Sequence, residues 1–135
     1  MGELAQTLEI NRSITHLDLR NNRVGPQGAT ALSKALRSNQ TLSVCDLRWN
    51  DIGTRGAMDL AEAMEINQSL VELRLEGNGV RWETIDKIEG CTRRNAAKAN
   101  ESSRVVLQAA NDEANAAKNP PPPLYTRKYL NEIVG

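Results

Sequence analysis

The chain has no phenylalanine, and only two tryptophans and two tyrosines among its 135 residues. Aromatic side chains bury the largest areas in most cores. A broad aromatic core is therefore excluded, and burial must come from aliphatic residues. Histidine occurs once, at His16. Any Ser-His-Asp or Cys-His arrangement must run through that residue, which sits on what reads as an open strand with no evident partner. No catalytic residue is expected. The two cysteines, Cys45 and Cys91, stand alone, with no CxxC and no histidine cluster, so neither a metal site nor a cofactor is expected. Charge of one sign is also missing: Lys plus Arg and Asp plus Glu both number 17. That balance leaves no basic footprint for nucleic acid or an anionic membrane. No apolar run approaches the ~18 residues of a membrane span. The glycines do not form a GxxxxGK(S/T) phosphate loop.

What the chain does have is repetition. The frame Asn-x-(Ser/Thr)-(Leu/Ile) starts at Asn11, Asn39 and Asn67, each 28 residues after the last. The same interval relates Leu19, Leu47 and Leu75, and then Asn22, Asn50 and Asn78. Repeat one reads Ile14-x-x-Leu17-x-Leu19-x-x-Asn22-x-Val24. Repeat two runs from Leu42 through Cys45, Leu47 and Asn50 to Ile52, and repeat three from Leu70 through Leu73, Leu75 and Asn78 to Val80. The alternation at Leu17-x-Leu19 predicts a short strand with one buried face. Cys45 takes the position of Leu17 and Leu73, so it reads as a reduced core residue in a cytoplasmic chain. Each Asn turns the chain and can bond backbone groups inside the stack. After the turn, Val24-Gly25-Pro26-x-Gly28-Ala29 and Ile52-Gly53-x-x-Gly56-Ala57 lead into apolar positions at helical spacing. The glycines suit a tight turn and close helix approach, and Pro26 suits a helix start. Asn39 and Asn67 follow the helices, where a left-handed cap is expected.

This pattern is LxxLxLxxN/CxL, the leucine-rich repeat. It resembles the ribonuclease-inhibitor type, most specifically in Leu17-Asp18-Leu19-Arg20-Asn21-Asn22 followed by Val24-Gly25-x-x-Gly28-Ala29-x-Ala31-Leu32. The resemblance implies an α/β solenoid: a short horseshoe with parallel strands inside and helices outside. It also implies protein partners, since relatives with this repeat include GTPase activators, nuclease inhibitors, actin cappers, and centrosomal and ciliary scaffolds. The expected function is a non-enzymatic interaction module, a structural or adaptor subunit of a larger assembly in the cytoplasm, with the cytoskeleton or cilium as context. The alternative is a regulator of an enzyme, such as a GTPase activator or nuclease inhibitor.

Three segments are expected: the solenoid over 1–95, an Ala-rich helical extension over 96–118, and a Pro-rich linker and docking tail over 119–135. Leu4 and Leu8 align with Leu32 and Leu36 one period on, so the chain starts inside a repeat. Its N-terminal edge is expected to be covered by another chain or by missing repeats. Ile85 and Ile88 keep a fourth helical face, and Asn95 falls one period after Asn67, while Gly90 and Thr92 weaken that element. Ala99, Ser103, Val106, Ala110 and Ala117 form a thin seam at coiled-coil spacing. It either lies on another surface or is a solvated helix.

The candidate binding residues come from the strand face, its rim and the tail. His16, Arg20, Arg48, Glu72 and Glu76 alternate with buried positions and carry mixed charge, which suits orientation and selectivity. Cross-strand pairing is expected for Asp18, Asp46 and Arg74. Trp49 occupies a turn position held by Asn21 and Gly77 in the other repeats. It reads either as a binding hot spot or as packing on the next turn. Trp82 is expected to shield the C-terminal end of the stack. Pro122, Pro123 and Tyr125 fit PPxY, the polyproline pattern that WW domains read, and Tyr125 and Tyr129 belong to a late apolar cluster. That tail either docks on a partner or folds back on the stack.

Overall fold

The computed structural model describes residues 1–118. Three short parallel strands form one sheet: β1 (His16–Asp18), β2 (Val44–Asp46) and β3 (Glu72–Arg74), in the order β1-β2-β3. The register pairs His16 with Val44 and Val44 with Glu72, so the sheet steps by one 28-residue unit per strand. α1 (Gly2–Ile10) precedes β1, α2 (Gly25–Ser38) and α3 (Gly53–Ile66) connect the strands, and α4 (Trp82–Lys118) follows β3. One compact unit comprises Met1–Ala99, and a second begins at Asn100.

The helices bury one face each. Ala29, Leu32 and Leu36 of α2, and Ala57, Leu60 and Met64 of α3, meet Leu42, Leu47, Ile52 and Leu70 in a single cluster. Gly56 permits the close approach of α2 and α3: a Cβ there would lie 2.7 Å from Ile52 Cγ2 and 3.1 Å from the Pro26 backbone. Gly53 takes the left-handed φ of +69° that the turn before α3 requires.

The expected left-handed caps after the helices do not form. Asn11, Asn39 and Asn67 are extended, with φ between −73° and −64°. Their side chains explain their presence instead. Asn39 Oδ1 accepts the Thr41 and Leu42 N–H groups, and its Nδ2 donates to Leu8 O and Asn11 O of the preceding unit. Asn67 repeats this pattern on Leu36 O and Asn39 O. Both asparagines are fully buried.

Gly90 and Thr92, expected to weaken the fourth helix, do not interrupt it. Gly90 costs a helix about 1 kcal/mol relative to Ala. Packing of Ile88, Thr92 and Asn95 offsets that, and the Thr92 hydroxyl donates to Glu89 O. From residue 97 to residue 118 every side chain is exposed.

Candidate functional site

The strands carry a carboxylate and an arginine two residues apart, so both lie on the sheet face away from the helices. Arg20 bonds Asp18 at 2.7 Å, Arg48 bonds Asp46 at 2.6 Å, and Arg74 bonds Glu72 at 2.5 Å. Asp46 on the central strand also reaches Arg20 at 3.6 Å and Arg74 at 3.7 Å. One nearly buried carboxylate is thus shared by three guanidinium groups, one from each repeat. The cross-strand expectation is met for Asp46 and Arg74 and fails for Asp18, whose bonds go to Arg20 on its own chain segment. Arginine's planar fork allows both bonds to be made locally.

Electrostatics follow from these bonds. Hydrogen bonds from Arg20 hold the Asp18 carboxyl down at about 2. Asp46 is also held below its ordinary value, chiefly by the Arg48 side chain and against the effect of its burial. Burial pushes the Cys45 thiol up to about 12, so it behaves as an inert core residue. Both cysteines are free.

A shallow cavity of about 490 Å³ on this face brings together His16, Arg20, Arg48 and Glu72. Glu76 lies outside it and lines a groove at the far edge of the sheet with Glu72. Trp49 stands on the rim with a φ of +53°, a left-handed conformation uncommon for a bulky side chain. Its ring is 52% exposed and lies under the Arg48 guanidinium, 5.5 Å from centroid to carbon. The indole also lies close to Gly77, where an added Cβ would fall 2.0 Å from Trp49 Cδ1. Packing and exposure therefore coexist: the ring is held by its neighbours and still open to solvent. Pro122, Pro123, Tyr125 and Tyr129 lie outside the described residues.

Trp82 does not shield the stack; it is 75% exposed. At about 100° per residue, it sits roughly 120° around α4 from Ile88. The buried line of that helix is Ile88, Thr92 and Asn95. The last residue does the closing. Asn95 Nδ2 donates to Asn67 O and Leu70 O at 3.0 and 2.9 Å, one period beyond the bond from Asn67 to Asn39 O. Arg94 adds bonds to Met64 O and Glu65 O, the carbonyls at the end of α3. A cation is favoured there by the helix dipole. Nothing in the repeat signalled Arg94, since the residues one and two periods earlier are Ile66 and Ser38.

A second asparagine row follows the strands. Asn50 Nδ2 donates to Leu19 O and Leu47 O, and its Oδ1 accepts from Asn22 and Val24 N–H. Asn78 does the same one unit on. These side-chain amides replace the backbone pairing that a turn inside a stack would otherwise lose.

Comparison with known proteins agrees with this geometry. The family described as "Leucine Rich repeat" matches residues 11–33 and 38–61. The chain carries leucine-rich repeats. Among solved structures, the one titled "Leiomodin-1 Actin-Binding Site 2 (ABS2)" is similar with a TM-score of 0.65 at 20% identity, covering 81% of this chain and 79% of that one. A tropomodulin C-terminal domain from Caenorhabditis elegans aligns over 81% of this chain and 97% of its own at 13% identity, with a TM-score of 0.34. No curated protein matches the chain in sequence.

Proposed function

We propose that this leucine-rich repeat protein is a non-enzymatic interaction module, a structural or adaptor subunit that docks a protein partner on its strand face, the concave side of a short horseshoe. The observation that carries this reading is Trp49: an aromatic ring in a strained backbone conformation, held close to Arg48 and Gly77 and half open to solvent. Rigid tryptophan and arginine are the residue types that dominate binding energy at protein interfaces. The Asp46 cluster fixes the three arginines beside it, which lowers the entropy lost on binding. The 28-residue unit with a full helix supports the ribonuclease-inhibitor type of repeat. A cytoplasmic, cytoskeletal setting is supported by the shared fold with an actin-binding domain, and the ciliary setting rests on the sequence resemblance alone.

Actin is the first partner to test. The full chain is expected to co-sediment with filaments or to bind monomers, and Trp49→Ala to weaken that binding by at least tenfold, the size of a hot-spot loss of about 2 kcal/mol. If the wild-type chain binds neither form of actin, the actin assignment is wrong. If Trp49→Ala binds every captured partner at full strength, the strand-face reading is wrong.

A further inference from the structure

Each strand of the sheet offers its successor the same backbone groups. The Leu19 and Asn21 N–H groups donate to Asp46 O and Arg48 O, and those of Leu47 and Trp49 donate to Arg74 O and Glu76 O. In return, Ser43 and Val44 donate to Thr15 O, and Val71 and Glu72 donate to Ser43 O. One period later the corresponding groups are Leu75 N–H, Gly77 N–H and Val71 O. Among the described residues none of the three has a backbone partner. A fourth strand would fall near residues 100–102 by the 28-residue period, and those residues are helical.

Beside these groups lies a groove of about 420 Å³ between β3 and the first half of α4. Leu73, Leu75, Ile85 and Ile88 give it an aliphatic lining. Its charged residues are Glu72, Glu76 and Glu89 against a single arginine, Arg74.

We propose that this groove is a strand-addition site. It takes a short extended peptide of another protein, with aliphatic residues at alternate positions and basic residues between them, which pairs in parallel with β3. The free backbone groups select a strand, because a helix satisfies its own N–H and C=O groups and would leave Leu75 and Gly77 unpaired. The aliphatic lining selects every second side chain, since those share one face of a strand. The excess of carboxylates selects lysine or arginine on the other face. This groove borders the strand face and shares Glu72 and Arg74 with it, but its strand-addition role rests on the backbone groups of β3's free edge and not on Trp49.

The test uses the full chain and a capped, fluorescently labelled seven-residue peptide of alternating valine and lysine. Saturable binding is expected, with amide exchange at Leu75 and Gly77 slowed by at least about tenfold, as newly formed ladder bonds require. A peptide with glutamate in place of lysine is expected to bind at least about tenfold more weakly at low salt. Glu89→Lys, an exposed change on α4, should weaken the lysine peptide by about fivefold while leaving the circular dichroism unchanged. Absence of binding, binding without protection of those two amides, or equal binding of the glutamate peptide would each overturn the proposal.

Discussion

Repeat one and repeat two share the same consensus positions and are held very differently. Leu42, Cys45 and Leu47 are fully buried, whereas Ile14, Leu17 and Leu19, one period earlier, are only partly covered. Asn50 is 1% exposed and its side chain makes five hydrogen bonds to backbone, three to the preceding repeat and two to its own. Asn22 is exposed, and its side chain donates once, to Arg20 O. In a stack, a residue's contribution depends on whether both neighbours are present, more than on its own identity. The leucine-rich consensus therefore marks positions of equal chemistry and unequal energy.

That inequality can be tested by paired substitutions, read as urea midpoints. The largest difference is expected at the leucines. Leu47→Ala should cost about 3 kcal/mol or more, by lost transfer energy and a cavity. Leu19→Ala should cost about 1 kcal/mol, since part of the side chain already meets solvent. Equal costs would show that the first strand is as well supported as the second. Next come the asparagines: Asn50→Ala should cost about 2–3 kcal/mol by leaving buried backbone groups unpaired, and Asn22→Ala less than about 1 kcal/mol.

Acid provides the third test. Asp18 and Asp46 have folded pKa values below the unfolded value of about 3.9, Asp18 near about 2. The unfolded chain then binds more protons in this range, so the carboxylates' contribution is complete above about pH 4 and is lost as pH falls toward 2. Asp18→Asn should flatten that acid limb of the melting temperature more than Asp46→Asn does, because Arg20 holds the Asp18 carboxyl lowest while burial works against the depression at Asp46. A more local effect is expected at Gly77→Ala. The left-handed φ of +75° should cost about 1 kcal/mol, and the indole of Trp49, which can swing outward, must give way to the added methyl. A changed Trp49 fluorescence in a Trp82→Phe background would report that displacement.

The strands, the three leading helices and the close approach at Gly56 were all legible in the sequence, because a fixed interval of 28 residues forces equivalent residues onto equivalent places. The role of the helix-following asparagines was not legible in the sequence. Left-handed caps and ladder-forming amides demand the same residue, and only the backbone angles distinguish them. Trp82 is apolar and starts the helix, but its phase differs from that of the buried line through Ile88, Thr92 and Asn95, and apolar character alone does not reveal phase. Asp46 became the centre of the charge cluster through being on the middle strand, which the repeat order allows one to anticipate. Arg94 was invisible, since it appears where the repetition has stopped and its partners are carbonyls with no signature of their own.

The bond from Asn95 to Asn67 O and Leu70 O ties a helix to a loop 28 positions upstream, and this fixes how many residues the intervening stretch can contain. One added or deleted residue before Asn95 turns the following part of the helix by about 100° and swings both the amide and Arg94 off their carbonyls. Length variation should therefore be costly within α4 between Trp82 and Asn95, and tolerated along the exposed turns beyond residue 97.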